Sequence, residues 1–240
     1  MTTSPKKLVV LTPYSGAIDP GCERGLAALE RRGYVVRRAP GFSAIDFGRS
    51  VLANNALREG FEEILWIDSD IVFEPDDVEK LRNHQLPIVA GIAAKKGPRQ
   101  FACQFPPGTE KVVFGKGGGL HPLLYAGFGF VLTRRSVYES IQTQVPMPLC
   151  NQRFGPPLYP FFQPMSVPDG DGSWYLAEDY AFCERARQCG IATMADTTIR
   201  LWHVGTYRYG WEDAGSDKQR FDTYNYSFTP KDVKPAAPER

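Results

Sequence analysis

Net charge is almost missing from this chain: 28 basic and 27 acidic side chains leave a formal +1 over 240 residues. Proteins that hold nucleic acids or acidic membranes concentrate basic surface to displace counterions. Basic doublets such as Lys6-Lys7 and Lys95-Lys96 are too short to supply one, so no nucleic-acid partner is expected. Long apolar runs are missing as well. None approaches the roughly 20 residues of a spanning helix, and residues 1–7 lack the apolar centre of a signal peptide, so the expectation is a soluble, cytoplasmic chain without a transmembrane segment. Cysteine is scarce, at five, with no CxxC pair. An odd count argues against a disulfide framework and the spacing against zinc, which leaves Cys22, Cys103, Cys150, Cys183 and Cys189 as buried thiols. Neither GxGxxG nor GxxxxGK[ST] occurs, which argues against a Rossmann dinucleotide site and a P-loop. The GKGGG run at 115–119 lacks the following Ser or Thr and opens no helix, so it reads as a hairpin turn.

What the chain does contain is an alternation of short apolar runs and amphipathic stretches. LVVL at 8–11 predicts a buried strand that breaks into a polar loop at Thr12-Pro13-Tyr14. A helix follows over 21–32, with Leu26 and Leu29 inward and Gly33 as its stop, then a strand at 34–38. Ser43 is placed to cap a helix whose apolar face is Ile45, Val51, Leu52 and Leu57 and whose end is Gly60. ILWI at 64–67 is the third strand, Glu74-Pro75-Asp76-Asp77 opens a helix with Val78 and Leu81 inward, and 87–91 is a further strand. Such a β-α-β-α-β series predicts an α/β fold: a mostly parallel central sheet with helices on both faces.

Later segments are less periodic. Residues 123–132 read as a strand interrupted by Gly127 and Gly129, and a helix from Thr133 carries Val137, Tyr138 and Ile141. From 145 to 173 proline, glycine and aromatics prevail without a period, the signature of a functional or mobile segment that could close over a ligand. Its aromatics and their neighbours (Phe154, Tyr159, Phe161, Phe162, Trp174, Tyr175) suit stacking on a ligand or packing onto the domain equally. A helix over 178–190 and a strand over 191–201 lead to Trp202-His203, and 230–240 has the composition of a disordered tail.

The densest chemistry lies at Asp68-Ser69-Asp70. On extended backbone the two carboxylates share one side with Ser69 opposite, an arrangement that invites a divalent cation or merely marks a turn. Asp46 and Arg49 form an i,i+3 pair that serves as a surface contact or as ligand contacts. Glu178 and Asp179 suit a helix N-terminus for dipole reasons alone, or a proton-transfer role. His203 is a structural histidine or a nitrogen ligand.

Taken in order, an acid pair after a core strand, a glycine strand at 127–130, Glu178-Asp179 opening a helix and a late His203 resemble the GT-A glycosyltransferases over about residues 6–210. The segment EDYAFCERARQCG at 178–190 is especially similar to the corresponding helix of family-2-like members, and WIDSDIV bears a weaker resemblance to Anp1-type fungal mannosyltransferases. The resemblance implies the GT-A (nucleotide-diphospho-sugar transferase) Rossmann-like fold in a single catalytic domain at 1–229, with a nucleotide-binding half at 1–125 and an acceptor half at 126–229. It implies transfer of a sugar from a UDP- or GDP-sugar to an acceptor hydroxyl, with manganese or magnesium held by Asp68, Asp70 and His203. Thr12, Tyr14, Asp46, Arg49, Asp68, Ser69 and Asp70 would surround the nucleotide, Asp179 would be the base of an inverting displacement, and Glu178 would support it. Alternatives on the same fold are a retaining transferase, a nucleotide-sugar-binding protein and a nucleotidyltransferase; the last usually carries a basic glycine-rich signature after the first strand, and residues 12–20 have no Lys or Arg.

Overall fold

The computed structural model describes residues 4, 7–215 and 223–227. The first strand, β1 (Leu8–Tyr14), feeds α1 (Pro20–Arg31), where Asp19 caps the helix by accepting from Gly21 N at 2.7 Å. Next come β2 (Val35–Pro40), α2 (Ile45–Arg58) and β3 (Glu63–Ile67). Gly33 and Gly60 follow the two helices at φ of 89° and 84°, the left-handed geometry that glycine tolerates and that ends a helix sharply. Ser43 does not cap α2: Ala44 holds that position, without a side-chain hydrogen bond. After β3 the chain makes β4 (Ile71–Val72), α3 (Asp76–Asn83), β5 (Ile88–Ala90), β6 (Cys103–Gln104), β7 (Lys111–Gly115), β8 (Leu120–Leu123), β9 (Tyr125–Ala126), β10 (Phe130–Arg134) and α4 (Arg135–Gln144). A hairpin of β11 (Met165–Asp169) and β12 (Gly172–Leu176) precedes α5 (Glu178–Gln188), β13 (Thr193–Asp196), β14 (Trp202–Val204), β15 (Arg208–Tyr209), a 3₁₀ turn (Trp211–Ala214) and β16 (Thr223–Ser227).

The central sheet has seven strands in the order β2-β1-β3-β10-β5-β13-β8. Strands β2, β1, β3, β5 and β13 run one way, while β10 and β8 run the other. Period-two alternation assigns the two faces. Leu8, Val10, Leu65 and Ile67 pack with Leu26 and Leu29 of α1 and with Val78 and Leu81 of α3. Val9, Leu11, Ile64 and Trp66 pack with Ala53 and Ala56 of α2, Val137 and Ile141 of α4, and Phe182 and Ala186 of α5. The fold is therefore mixed α/β with helices on both faces, as the alternation predicts. Burial in the sheet extends to polar groups that have partners: Trp66 Nε1 donates to Tyr138 Oη at 3.1 Å, and the Glu63 carboxylate is held by Arg82 at 2.9 Å and Arg134 at 2.7 Å.

Several local expectations are corrected. The GKGGG run is not a hairpin turn, because β7 pairs with β16 and β8 pairs with β13. Residues 123–132 divide among β8, β9 and β10, with the glycines in the break, and Thr133 lies inside β10 rather than starting α4. The strand expected over 191–201 shortens to β13, since Asp196 accepts from Thr198 N at 2.8 Å and turns the chain. Cys22 and Cys183 are buried, whereas Cys103, Cys150 and Cys189 are partly exposed, and all five are free. The aperiodic segment is anchored by α2: Asn54 exchanges hydrogen bonds with the backbone of Tyr159 at 2.9 and 3.0 Å, and Ser50 Oγ accepts from Phe162 N at 3.2 Å. Phe161 and Phe162 are thereby core residues, while Phe154 is 86% exposed. Among the described residues no helix is long and apolar enough to cross a membrane. The tail expected at 230–240 lies outside the described residues.

Candidate functional site

Open α/β sheets bind ligands beyond the carboxyl ends of their strands. Here those ends are Tyr14 on β1, the acid turn after β3 and the loop after β5. Asp68, Ser69 and Asp70 do not continue the strand: Ile71 N donates to Asp68 O at 3.1 Å and closes a turn, and Ser69 O accepts from Asp19 N at 2.8 Å in the loop after β1. The turn, rather than strand alternation, brings both aspartates to one cleft. Asp68 N donates to Gly129 O at 3.0 Å, which brings the glycine loop against the acid turn. A Cβ on Gly127 would stand 2.5 Å from Ala102 O, so only glycine fits that approach.

His203 arrives by strand pairing. β14 runs antiparallel to β4 with His203 opposite Ile71, and Val204 N donates to Asp70 O at 2.8 Å. Ala94 O can only accept, so the imidazole Nδ1–H donates to it at 2.9 Å, which turns Nε2 toward Asp70 Oδ1 at 3.5 Å. Burial raises the Asp70 pKa, but hydrogen bonds from His203 and Lys96 more than offset it and leave the carboxyl below its ordinary value.

Arg49 is not the surface member of an i,i+3 pair. Its side chain is 3% exposed, with the guanidinium over the rings of Trp66 and Phe128 at 5.4 and 5.7 Å. Nη2 bonds Asp68 Oδ1 at 2.7 Å, and Nε lies 3.8 Å from Glu178 Oε1. Nε and Nη1 are buried without a hydrogen-bond partner, so the fork keeps donor capacity that an anionic oxygen would satisfy.

A cleft of about 320 Å³ gathers Tyr14, Arg49, Asp68, Ser69, Asp70, Glu178 and His203, with Phe42 and Ile45 added to its wall. A second cavity shares Arg49, Asp68, Glu178 and His203 and adds Asp179. Asp179 also lines a third, beside Lys95, Trp174, Tyr175 and Tyr180. Asp179, with Ala102, thus lines both of the last two. Burial first, then the neighbouring Glu178 charge, push its pKa up to about 6, although its Oδ1 accepts from Tyr180 N at 2.7 Å. Thr12 and Asp46 stand apart from these walls: Thr12 is fully buried in β1 and its hydroxyl has no partner, while Asp46 sits on the first turn of α2. Sequence reasoning missed Lys96, whose ammonium binds Asp70 Oδ2, and Phe42. The signal for Lys96 was its place just after β5, at the same sheet end as the acid turn.

Among the described residues no group of three or more His, Cys, Asp or Glu side chains forms a ready metal cage. Asp70 and His203 do converge, and the Ala94 carbonyl fixes the imidazole so that Nε2 faces the carboxylate. That donor pair fits a hard or borderline divalent ion held by two side chains, with the remaining positions left to ligand oxygens and water.

No protein-family model matches the chain, and no curated protein does. Solved structures similar to it include the protein A197 from STIV, at 14% identity and a TM-score of 0.53, covering 82% of this chain and 85% of that one. A glycosyltransferase involved in glycosylation of the major capsid of PBCV-1 matches at 14% identity, 61% and 70% coverage and a TM-score of 0.33. The inositol-1-phosphate CTP transferase from T. maritima matches at 11% identity, 80% and 86% coverage and a TM-score of 0.38. The last two are too distant in shape to bear on fold or activity. The first shows that this chain shares the fold of A197.

Proposed function

We propose that the protein is a glycosyltransferase that moves a sugar from a nucleoside-diphosphate sugar to an acceptor hydroxyl. The observation that carries this reading is the adjoining set of cavities: at one end a buried guanidinium with open donors and an Asp70–His203 pair, at the other the Asp179 carboxylate with its pKa of about 6. A sugar donor needs the first end for its diphosphate, and an acceptor hydroxyl needs the second for its proton.

Tyr14 and Phe42 line the cleft and would supply aromatic surface for a base. Arg49 directs its unpaired donors toward an anionic oxygen while its bond to Asp68 holds the fork in place. Asp70 and His203 would hold manganese or magnesium together with phosphate oxygens; that ion supplies neutralisation of the charge developing on the leaving diphosphate. Asp179, ionised above pH 6, takes the acceptor proton as the acceptor oxygen forms its bond to the anomeric carbon. The bond from that carbon to the diphosphate oxygen breaks, and the electron pair leaves with the diphosphate. Attack from the side opposite the leaving group inverts the anomeric configuration. Glu178, near Arg49 and next to Asp179, sustains the Asp179 pKa by charge repulsion.

A panel of UDP-, GDP- and TDP-sugars, each with and without manganese, tests the proposal through release of nucleoside diphosphate. Release from one donor class, stimulated by the metal, is the expected result. No release from any donor, alongside no nucleotide binding, would refute the reading.

A further inference from the structure

The doublet Lys95-Lys96 divides between the two ends of the cleft. The Ala94–Phe101 bridge and the bond from Lys95 N to Gln100 O at 2.8 Å close a short loop after β5. From it Lys95 lines the cavity beside Asp179, whereas the Lys96 ammonium binds Asp70 Oδ2 on the side of the carboxylate away from His203. The Lys96 stem passes close to Gly205, where a Cβ would stand 3.4 Å from Cδ. A cation therefore already sits on the oxygen that a metal–diphosphate complex would approach.

We propose that Lys96 is a diphosphate-binding residue: its ammonium rests on Asp70 in the empty cleft and transfers to the β-phosphate when a nucleoside diphosphate enters. The proposal rests on the donor reading above and names a residue and a partner exchange which that reading does not require. The side chains of Lys96 and Asp70 are 36% and 35% exposed, and an ion pair that open to solvent holds its partners only weakly. A diphosphate brings more negative charge and more acceptor oxygens than one carboxylate, so the exchange runs toward the ligand. The same exchange frees Asp70 Oδ2 for a divalent ion, which links arrival of the diphosphate to completion of the cation site. Lys96 therefore discriminates nucleoside diphosphates from monophosphates, whose single phosphate does not extend to the ammonium.

Calorimetric titration of the full chain and of Lys96→Met with UDP, UMP, GDP and GMP tests this, with manganese and separately with EDTA, and with manganese alone followed by electron paramagnetic resonance. The wild type should prefer the diphosphate of one base. Lys96→Met should lose that preference by about tenfold to a hundredfold, the range of one charge-assisted hydrogen bond, while its monophosphate affinity holds. It should also bind manganese alone more tightly, because Oδ2 is free, an effect of opposite sign that simple damage to the fold would not produce. Lys96→Arg should restore most of the diphosphate preference. Unchanged diphosphate affinity in Lys96→Met, or equal loss for mono- and diphosphates, overturns the proposal. Failure of the wild type to bind any of the four nucleotides instead overturns the donor reading beneath it.

Discussion

Replacing Asp179 by Asn should raise stability at alkaline pH while abolishing transfer. Burial and the Glu178 charge lift the Asp179 pKa from 3.8 to about 6, so the fold favours the neutral acid. Below about pH 3.8 the group is protonated in both folded and unfolded chains and the shift costs nothing. Between there and pH 6 the unfolded chain releases a proton that the folded chain keeps, and stability falls as pH rises. Above pH 6 the full penalty is present. A displacement of about two units corresponds to about 3 kcal/mol, and because the carboxyl is partly open to solvent a range of about 1–3 kcal/mol is expected. Asparagine keeps the Oδ1 that accepts from Tyr180 N and carries no charge, so Asp179→Asn should be more stable than wild type by that amount at pH 8. The two should converge toward pH 4. For a domain of this size the gain corresponds to about 3–10 °C in melting temperature. Thermal unfolding of both proteins at pH 4, 5, 6, 7 and 8 measures it. Turnover should fall by roughly a hundredfold to ten-thousandfold with donor affinity preserved. An Asp179→Asn protein that is equal to or less stable than wild type at pH 8 would refute the buried-base account.

Other consequences follow from the same geometry. His203→Ala and Asp70→Asn should each weaken manganese-dependent nucleotide binding while leaving the melting temperature of the empty protein nearly unchanged; unaltered nucleotide affinity in His203→Ala would remove the imidazole from the cation site. Trp174→Ala should raise the acceptor KM without changing donor hydrolysis, because Trp174 lines the cavity on the Asp179 side and not the cleft that holds Asp70. Gly127→Ala should cost about 1–3 kcal/mol in urea unfolding, since its Cβ would lie 2.5 Å from the Ala102 carbonyl oxygen and backbone must move.

Strands β1, β3 and β5 were legible because β-branched and apolar runs bounded by turns and helices describe buried strands wherever they occur. Strand direction was not, since side-chain pattern is blind to it, and so the insertion of antiparallel β10 between β3 and β5 appears only in the structure. Arg49 shows a related limit. Its spacing from Asp46 suits a surface pair, but α2 turns Arg49 inward over Trp66 and Phe128, contacts that depend on how the helix docks. Phe161 and Phe162 lack periodicity because side chains of Ser50 and Asn54 hold their segment through its backbone. His203 was legible as a late histidine, yet its meeting with Asp70 needs the β14–β4 register. Lys96 belongs to a doublet too short for nucleic-acid binding, yet one cation suffices beside one carboxylate, and only the folded loop after β5 brings it to Asp70.

The most direct test is proton NMR of wild-type protein with its productive nucleotide sugar and water as the only acceptor, recording the anomer of free sugar released before mutarotation. The account predicts release of the sugar with configuration opposite to that of the donor, and loss of that release in Asp179→Asn. Release with retained configuration would contradict the single displacement assigned to Asp179, and no release from any nucleotide sugar would contradict transferase chemistry at this cleft.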